Sequence, residues 1–171
     1  MSIETSAAPA AIATAIASYH FNERVLDKVL PSITPEDALR RPSNHSNHAL
    51  WILGHVLYCR NSVIKLLGLP PALSQPWLPL FNRGSKIQQD PSAYPSWNEL
   101  LEIRRELTPQ LHKALSEAPE DLLETSAPAN GAPSFDGKIS GVISFFASHE
   151  TYHGGQLGYL AKWLGHDGPV G

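Results

Sequence analysis

The feature that most constrains the fold of this chain is the spacing of side chains between residues 142 and 163. Seven residues follow one another at alternating steps of four and three: Val142, Phe146, His149, His153, Gln156, Leu160 and Trp163. This spacing places them on one face of an α-helix and is typical of the inward stripe of a helical bundle. Apolar residues occupy both ends of the stripe, and polar residues occupy its centre.

The polar centre of this stripe predicts a ligand. Burying the side chains of His149, His153 and Gln156 in succession is unfavourable unless something satisfies them. Histidines four residues apart project from the same side of a helix, so both can bind one metal ion. The alternative is that the histidines are exposed and that the true core stripe is rotated around the helix.

Three earlier segments also have helical periodicity, so the sequence predicts four helices. Their predicted ranges are 8–30, 47–67, 96–118 and 140–164, and each is followed by a proline or glycine. The polar stretch 43–46 offers N-caps for the second helix, and Ser96 with Glu99 forms a capping box for the third. Pro109 is expected to kink or divide the third helix because it removes a backbone donor.

The segments between the predicted helices, 31–46, 69–95 and 119–139, are rich in proline and glycine. The middle one is long enough to return the chain along the bundle, so that the second and third helices run parallel. No segment has the two-residue periodicity of a strand. The sequence therefore predicts an all-α fold, a four-helix bundle in a single domain over residues 1–171.

Composition excludes several classes of function. The formal net charge is −3, from 13 basic and 16 acidic residues, and no block of one sign favours a nucleic acid or an anionic membrane as partner. No apolar stretch is long enough to cross a bilayer, and the N-terminus lacks the pattern of a signal peptide. The single cysteine, Cys59, fits a reducing compartment. We therefore expect a cytoplasmic protein.

Residues 149–153 read HETYH, which matches the HExxH pattern of zinc metalloproteases. The third ligand of those enzymes is missing here. No glutamate follows Glu150, and the metzincin positions hold Gln156 and Tyr159 in place of glycine and histidine. The sequence thus argues against a metalloprotease, and a third ligand must lie upstream.

The second predicted helix supplies a candidate for this third ligand. His55 lies in its middle, within the apolar string WILGHVL, on a stripe that also contains His48 and Cys59. A lone histidine among apolar residues is usually a core residue, but two histidines on another helix already require a partner. We therefore predict His55 as a ligand, His48 as a residue at the mouth of the site, and Cys59 as a small core residue.

The string WILGHVL, followed about ninety residues later by HETYHGGQLGYLAKWLG, resembles the DinB/YfiT-like superfamily in helix order and spacing over the whole chain. The resemblance implies an up-down-down-up bundle with a long crossover between helices two and three. It also implies a three-histidine metal site formed by His55, His149 and His153. A homodimer is compatible with it.

Three neutral imidazoles leave coordination positions open, as in catalytic metal sites. The donor set suits Zn²⁺, Ni²⁺, Fe²⁺, Co²⁺ or Mn²⁺. Such an ion can lower the pKa of bound water from about 15.7 to about 7, or activate a thiolate. The resemblance implies a thiol-dependent S-transferase or a hydrolase acting on a small molecule, with a low-molecular-weight thiol as a further cofactor.

Several other residues are candidates for the surroundings of the site. Glu150 is either a general base or second-shell acceptor, or one half of an interhelix ion pair. Glu23, at an inward position of helix one, is a further second-shell candidate. Gln156 lies one turn beyond His153 and is expected to contact bound water or substrate, or to hydrogen-bond within the bundle.

The crossover 69–95 is rich in aromatic residues. Its candidate site residues are Trp77, Phe81, Asn82 and Arg83. These residues either form a wall of a substrate pocket or belong to a lid that covers the core.

Three hypotheses remain open from the sequence. The first is a metal-dependent enzyme with the ion held by the three histidines. The second is a non-catalytic protein that binds or senses a metal ion. The third is a bundle whose polar centre serves only structure or dimerisation.

Overall fold

The computed structural model describes residues 8–88 and 90–167, so the N-terminal segment from which we inferred the lack of a signal peptide lies largely outside it. This part of the chain folds into five helices and no β-strand. The helices are α1 (Ala13–Val29), α2 (Ala49–Leu66), α3 (Trp97–Ser116), α4 (Glu120–Leu123) and α5 (Ile139–Trp163). Short 3₁₀ turns, among them Leu78–Phe81 in the crossover, lie between them. The predicted all-α fold is confirmed.

The four predicted helices correspond to α1, α2, α3 and α5. Helix α4 was not predicted, because its four residues are too few to show a periodicity. Helix α3 runs through Pro109 without interruption, so it is not divided there. The described helices are not long and apolar enough to cross a membrane.

Helix ends follow from local backbone chemistry. Gly68 and Gly165 adopt φ angles of +77° and +93°, and the amide after each glycine bonds back to a carbonyl of the last turn, as in a Schellman motif. Ser96 caps α3 by accepting the Glu99 amide at 3.2 Å, as predicted. The N-cap of α2 is His48 rather than a residue of the stretch 43–46, and its Nδ1 accepts the Trp51 amide at 3.0 Å.

Helix α5 packs against both α1 and α2, and α2 also packs against α3. Asn22 of α1 fixes its position: the Asn22 amide donates to the Ala147 carbonyl at 3.0 Å, and its Oδ1 accepts from Thr151 Oγ1 at 2.8 Å. Asn22 is buried, so these bonds replace the water that it loses on folding.

The buried face of α5 is wider than the predicted stripe. Residues on a neighbouring stripe are also buried: Ile143, Ala147, Glu150, Leu157 and Ala161. Trp163 was predicted to face inward, but it is 41% exposed and lies against the guanidinium of Arg40. The second buried stripe arises because α5 contacts two helices, so its core-facing surface covers more of its circumference than one stripe.

Gly54 allows the crossover to approach α2. A Cβ atom built on Gly54 would lie 2.3 Å from the ring of Phe81, which is fully buried. No side chain other than hydrogen fits at this position unless Phe81 moves. Because Gly54 has no side chain, the Phe81 ring can pack on α2, and this packing brings the Phe81 carbonyl close to the helix.

We expect Gly54→Ala to destabilise the fold by about 1–3 kcal/mol, the range for overpacking a core. Gly155→Ala is the matched control, because nothing lies within 4 Å of a Cβ built on Gly155. In the control, alanine should stabilise helix α5 by up to about 1 kcal/mol. Urea unfolding of both variants measures the difference, and equal midpoints would contradict the role assigned to Gly54.

Candidate metal centre

His55 lies in the middle of α2 and is 4% exposed. Its Nδ1 lies 2.6 Å from the backbone carbonyl of Phe81. A carbonyl only accepts hydrogen bonds, so Nδ1 carries the proton and the lone pair of Nε2 is free. The ring also stacks on Trp51, with centroids 4.9 Å apart. Both contacts fix the orientation that a metal-binding imidazole requires.

The crossover holds the Phe81 carbonyl in place through neighbouring bonds. Trp51 Nε1 donates to the Leu80 carbonyl at 3.1 Å, and Ser85 Oγ donates to the same carbonyl at 2.6 Å. Phe81 of the crossover is fully buried against the core. Its contact with the site is made by a backbone atom, which no side-chain pattern in the sequence could indicate.

His149 and His153 project from α5 towards His55. Their Nε2 atoms lie 3.2 Å apart. His153 Nδ1 lies 2.7 Å from Gln156 Oε1, while the amide nitrogen of Gln156 donates to the Tyr152 hydroxyl at 3.0 Å. This orientation of Gln156 makes His153 Nδ1 the donor and leaves its Nε2 as an acceptor.

The three imidazole rings converge from two helices. The ring centroids are 4.4 Å apart for His149–His153, 4.9 Å for His55–His153 and 5.2 Å for His55–His149. Burial lowers the pKa of all three histidines, and it lowers the pKa of His153 to about 4. The rings are therefore neutral at pH 7, which is the protonation state that binds metal ions.

Cys59 is a fourth member of this cluster. Its Sγ lies 3.6 Å from His55 Nε2 and 3.9 Å from His149 Nδ1. The donor atoms of His55, Cys59 and His149 all lie within 4.8 Å of one another, whereas His153 is not part of that group. The pKa of the Cys59 thiol is raised to about 12, mainly by burial and to a smaller extent by the nearby Glu150 carboxylate.

The donors fit a divalent ion by distance and by chemistry. Two imidazole nitrogens, each about 2.0–2.1 Å from one tetrahedral ion, lie about 3.3–3.4 Å apart. The 3.2 Å separation of His149 and His153 Nε2 is close to that value. The outer nitrogens of His55 and His153 already have hydrogen-bond acceptors. A possible metal-binding group is therefore present.

Glu150 lies beside this cluster in a buried ion pair. Its two carboxylate oxygens accept from Arg60 Nε at 2.8 Å and from Arg60 Nη2 at 2.6 Å, and both side chains are almost completely buried. This geometry corresponds to the second alternative for Glu150, an interhelix ion pair. Burial alone would lower the pKa of Arg60, but the Glu150 and Glu23 carboxylates raise it.

Glu23 extends the same ion network and does not contact the histidine cluster. Its carboxylate contacts Arg60 of α2 and Arg104 of α3, and Arg104 also contacts Asp27 at 2.7 Å. Thr108 bridges the network by donating to Glu23 and accepting from Arg60 Nη1. Glu23 therefore connects α1 to α2 and α3.

His48 lies at the start of α2, where it caps the helix. It is buried, and its ring contacts Tyr94 edge to face at 5.5 Å. The pKa of His48 is lowered to about 4, mainly by burial and to a smaller extent by the charge of Arg41. The ring is therefore neutral at pH 7, and its Nδ1 can accept the hydrogen bond that caps the helix. The structure thus places His48 in a capping role rather than at an open mouth.

A cleft of about 620 Å³ lies next to the histidine cluster, between the N-terminal end of α2 and the outer face of α5. Its lining includes Ile52, Tyr152, Gly155, Gln156 and Tyr159. The volume is within the range of small-molecule sites. Gln156 both lines this cleft and bonds to His153, so it connects the cleft to the cluster.

Sequence reasoning missed two components of the site and ranked a third, Cys59, below its place in the arrangement. Cys59 lies one helical turn after His55, but we predicted it as a small core residue, with a role as a ligand as the less favoured alternative. The Arg60–Glu150 pair joins two positions 90 residues apart and has no local signal. The Phe81 carbonyl is a backbone group, so any residue type could supply it.

Comparison with protein families matches residues 18–157 to the DinB superfamily. The match covers most of the chain, and it includes His55, His149 and His153. The chain therefore belongs to the DinB superfamily, which confirms the resemblance seen in the sequence. Comparisons with curated proteins and with solved structures gave no match.

Proposed function

We propose that this protein is a divalent-metal-dependent enzyme that binds its ion at the histidine cluster of α2 and α5 and acts on a small molecule. The observation that carries the proposal is the convergence of three neutral imidazoles, with ring centroids 4.4–5.2 Å apart, in a buried site. His55 and His149 supply nitrogen donors, and His153 is the third histidine of the cluster. Superfamily membership supports the same assignment.

A bound ion would act as a Lewis acid, either lowering the pKa of a water molecule or holding a thiolate. The residues of the chain orient the donors and shape the surroundings. The Phe81 carbonyl fixes the ring of His55, and Gln156 fixes the ring of His153. The cleft beside Gln156 offers room for the substrate. The two reaction classes that fit are S-transfer with a low-molecular-weight thiol and hydrolysis.

We propose that the long helices form the up-down-down-up bundle of the superfamily. In support, α1 and α3 are antiparallel by their contacts, since His20 stacks on His112 and Asp27 contacts Arg104. Cys59 lies near His149 and His55 near His153, which pairs α2 with α5 in the same antiparallel sense. Asn22 bonds to Ala147, and Val25 lies beside Gly154, which pairs α1 with α5 in parallel. Helices α2 and α3 then run in the same direction, as the long crossover requires.

Metal analysis and turnover test the function together. Untagged protein should bind close to one equivalent of a first-row divalent ion. It should then convert an electrophile in the presence of a thiol, or hydrolyse an ester or amide, at a rate that depends on the ion. Protein that takes up none of these ions would refute the proposal. Bound ion without turnover of any substrate class would favour a metal-binding protein that is not an enzyme.

Gln156→Ala should weaken metal binding by about tenfold, the lower end of the range for residues that orient a metal site. The expected cause is that His153 loses the acceptor for its Nδ1 proton. The matched control is Gln110→Ala, because Gln110 is exposed on α3 and bonds to the Glu106 carbonyl of its own helix. Competition with a chromophoric chelator measures both affinities, and equal losses in the two variants would contradict this role.

A further inference from the structure

Arg83 lies in a tight turn of the crossover, formed by residues 82–85. The Ser85 amide donates to the Asn82 carbonyl at 3.0 Å, which closes the turn. Gly84, in the third position, has a φ angle of +78°, as a type II turn requires. The side chain of Asn82 accepts a further bond from the Arg83 amide at 2.7 Å. These bonds give the backbone at Arg83 a defined conformation.

Both ends of this turn are held against α2. Before the turn, the Phe81 carbonyl lies 2.6 Å from His55 Nδ1. At its end, Ser85 Oγ accepts from Trp51 Nε1 at 3.1 Å. The Cα atom of Arg83 is at most about 7.6 Å from that of Phe81, because only two peptide links separate them. The long side chain of Arg83 therefore starts within reach of the histidine cluster.

The charge of Arg83 acts on the most exposed histidine of the cluster. His149 is half-buried, whereas His55 and His153 are buried. The pKa of His149 is lowered mainly by burial, and next by electrostatic interaction with His55 and with Arg83. The Arg83 guanidinium is exposed, and it has no hydrogen-bond or ion-pair partner within residues 8–88 and 90–167. The accessible edge of the cluster therefore carries a positive charge that this part of the chain does not neutralise.

An aromatic surface adjoins the same histidine. The Phe145 ring stacks on His149, with centroids 5.6 Å apart, and Phe135 contacts Phe145 edge to face at 6.0 Å. Phe135 is 66% exposed, so its ring is accessible to an apolar group of a ligand. A guanidinium forms paired hydrogen bonds with carboxylates and phosphates. The accessible edge of the cluster thus combines a group that binds oxyanions with a surface that binds apolar groups.

We propose that Arg83 binds the substrate, and that this substrate is a small oxyanion, a carboxylate or a phosphate attached to an apolar group. The inference rests on the proposed function, because it concerns the molecule that reaches the same ion. The balance of charge supports it. Neutral imidazoles leave the full charge of a divalent ion, Arg83 adds to it, and the Glu150 carboxylate is already paired with Arg60. The whole protein has a net charge of −3, so the attraction of an anion is confined to this site.

Titration of the Co²⁺-loaded protein with small aromatic probes tests the inference. The probes are benzoate, phenyl phosphate and the neutral benzyl alcohol, and calorimetry measures their affinities. Arg83→Ala should weaken the binding of the preferred anion by about tenfold, the effect of losing one hydrogen bond to a charged group, and leave the affinity for benzyl alcohol unchanged. The anion that the wild-type protein binds more tightly identifies the oxyanion as a carboxylate or a phosphate.

Three further variants make the test specific. Lys86→Ala is the matched control, because Lys86 is an exposed cation of the same crossover, and it should bind the anions as tightly as the wild-type protein. Arg83→Lys keeps the charge but loses the paired hydrogen bonds, so its affinity should lie between those of the wild-type protein and Arg83→Ala. Phe135→Ala should weaken the binding of benzoate and leave that of acetate unchanged.

Each other outcome has a defined meaning. Equal affinities of the wild-type protein and Arg83→Ala for both anions, with Co²⁺ bound, would overturn the inference and leave the proposed function intact. Equal losses in Arg83→Ala and Lys86→Ala would also overturn it, because the attraction would then come from the general charge of the crossover. If the wild-type protein binds no divalent ion, the proposed function itself fails, and this inference fails with it.

Discussion

Replacing His149 by alanine should abolish stoichiometric binding of a divalent ion. His149 is common to every donor set that the structure allows, because it contacts both Cys59 and His153. In the wild-type protein, an ion at 100 times its dissociation constant should stabilise the fold by about 2.7 kcal/mol. The variant should show no such increase. Metal analysis after gel filtration, together with thermal unfolding with and without the ion, measures both effects.

The control for this experiment is His20→Ala. His20 is an exposed residue of α1 that stacks on His112, so its loss removes an imidazole without touching the cluster. It should retain both the bound ion and the metal-dependent stabilisation. The assignment of the cluster would be wrong if His149→Ala and His20→Ala retained equal amounts of metal.

Replacing Glu150 by glutamine should destabilise the fold by about 3 kcal/mol. The substitution leaves Arg60 completely buried without its main counter-charge, and breaking one half of a buried pair costs about 3–5 kcal/mol. The value should fall at the lower end of this range, because Glu23 also contacts Arg60. Urea unfolding measures the loss.

Two comparisons make this prediction specific. The Lys138–Glu124 pair is about half exposed on both sides, so Glu124→Gln should change the stability by at most about 1 kcal/mol. The double variant Arg60→Met with Glu150→Leu should recover most of the loss, because apolar replacement of a buried pair is often neutral or better. If Glu150→Gln abolished turnover while the stability changed as little as in Glu124→Gln, Glu150 would act as a base instead.

The ion pair and the histidine cluster are neighbours on the same two helices. Cys59 precedes Arg60 on α2, and His149 precedes Glu150 on α5. Successive helical residues point about 100° apart, so one face of the α2–α5 contact forms the cluster and the adjacent face forms the ion pair. The Arg60–Glu150 bonds thus fix the position of α2 along the axis of α5. The same axial register places Cys59 beside His149.

This arrangement also explains why HETYH is misleading as a protease signature. In that pattern the glutamate is the general base of the site. Here both oxygens of Glu150 accept from Arg60, on the face that points into the bundle. Glu150, which completes the match to the pattern, is therefore already paired with Arg60.

Helix α5 shows which structural features follow from the sequence and which do not. Periodicity and the glycine at 165 gave its ends to within one residue of Ile139–Trp163, because helical spacing and helix termination are local properties. The same pattern placed His149 and His153 on one side of the helix. It did not identify the most buried stripe, which contains Glu150, because burial depends on which helices pack against α5 and from which directions.

The sequence by itself determined the all-helical class and the long helices, and it placed His149 and His153 on one side of a helix, since each of these depends on residue type and short-range spacing. The tertiary structure decided how the cluster is completed. The Phe81 carbonyl reaches His55 only because the crossover packs on Gly54, and Cys59 meets His149 only because α2 and α5 are held in one register. These contacts join residues 26 and 90 positions apart, and distances between such residues are set by packing.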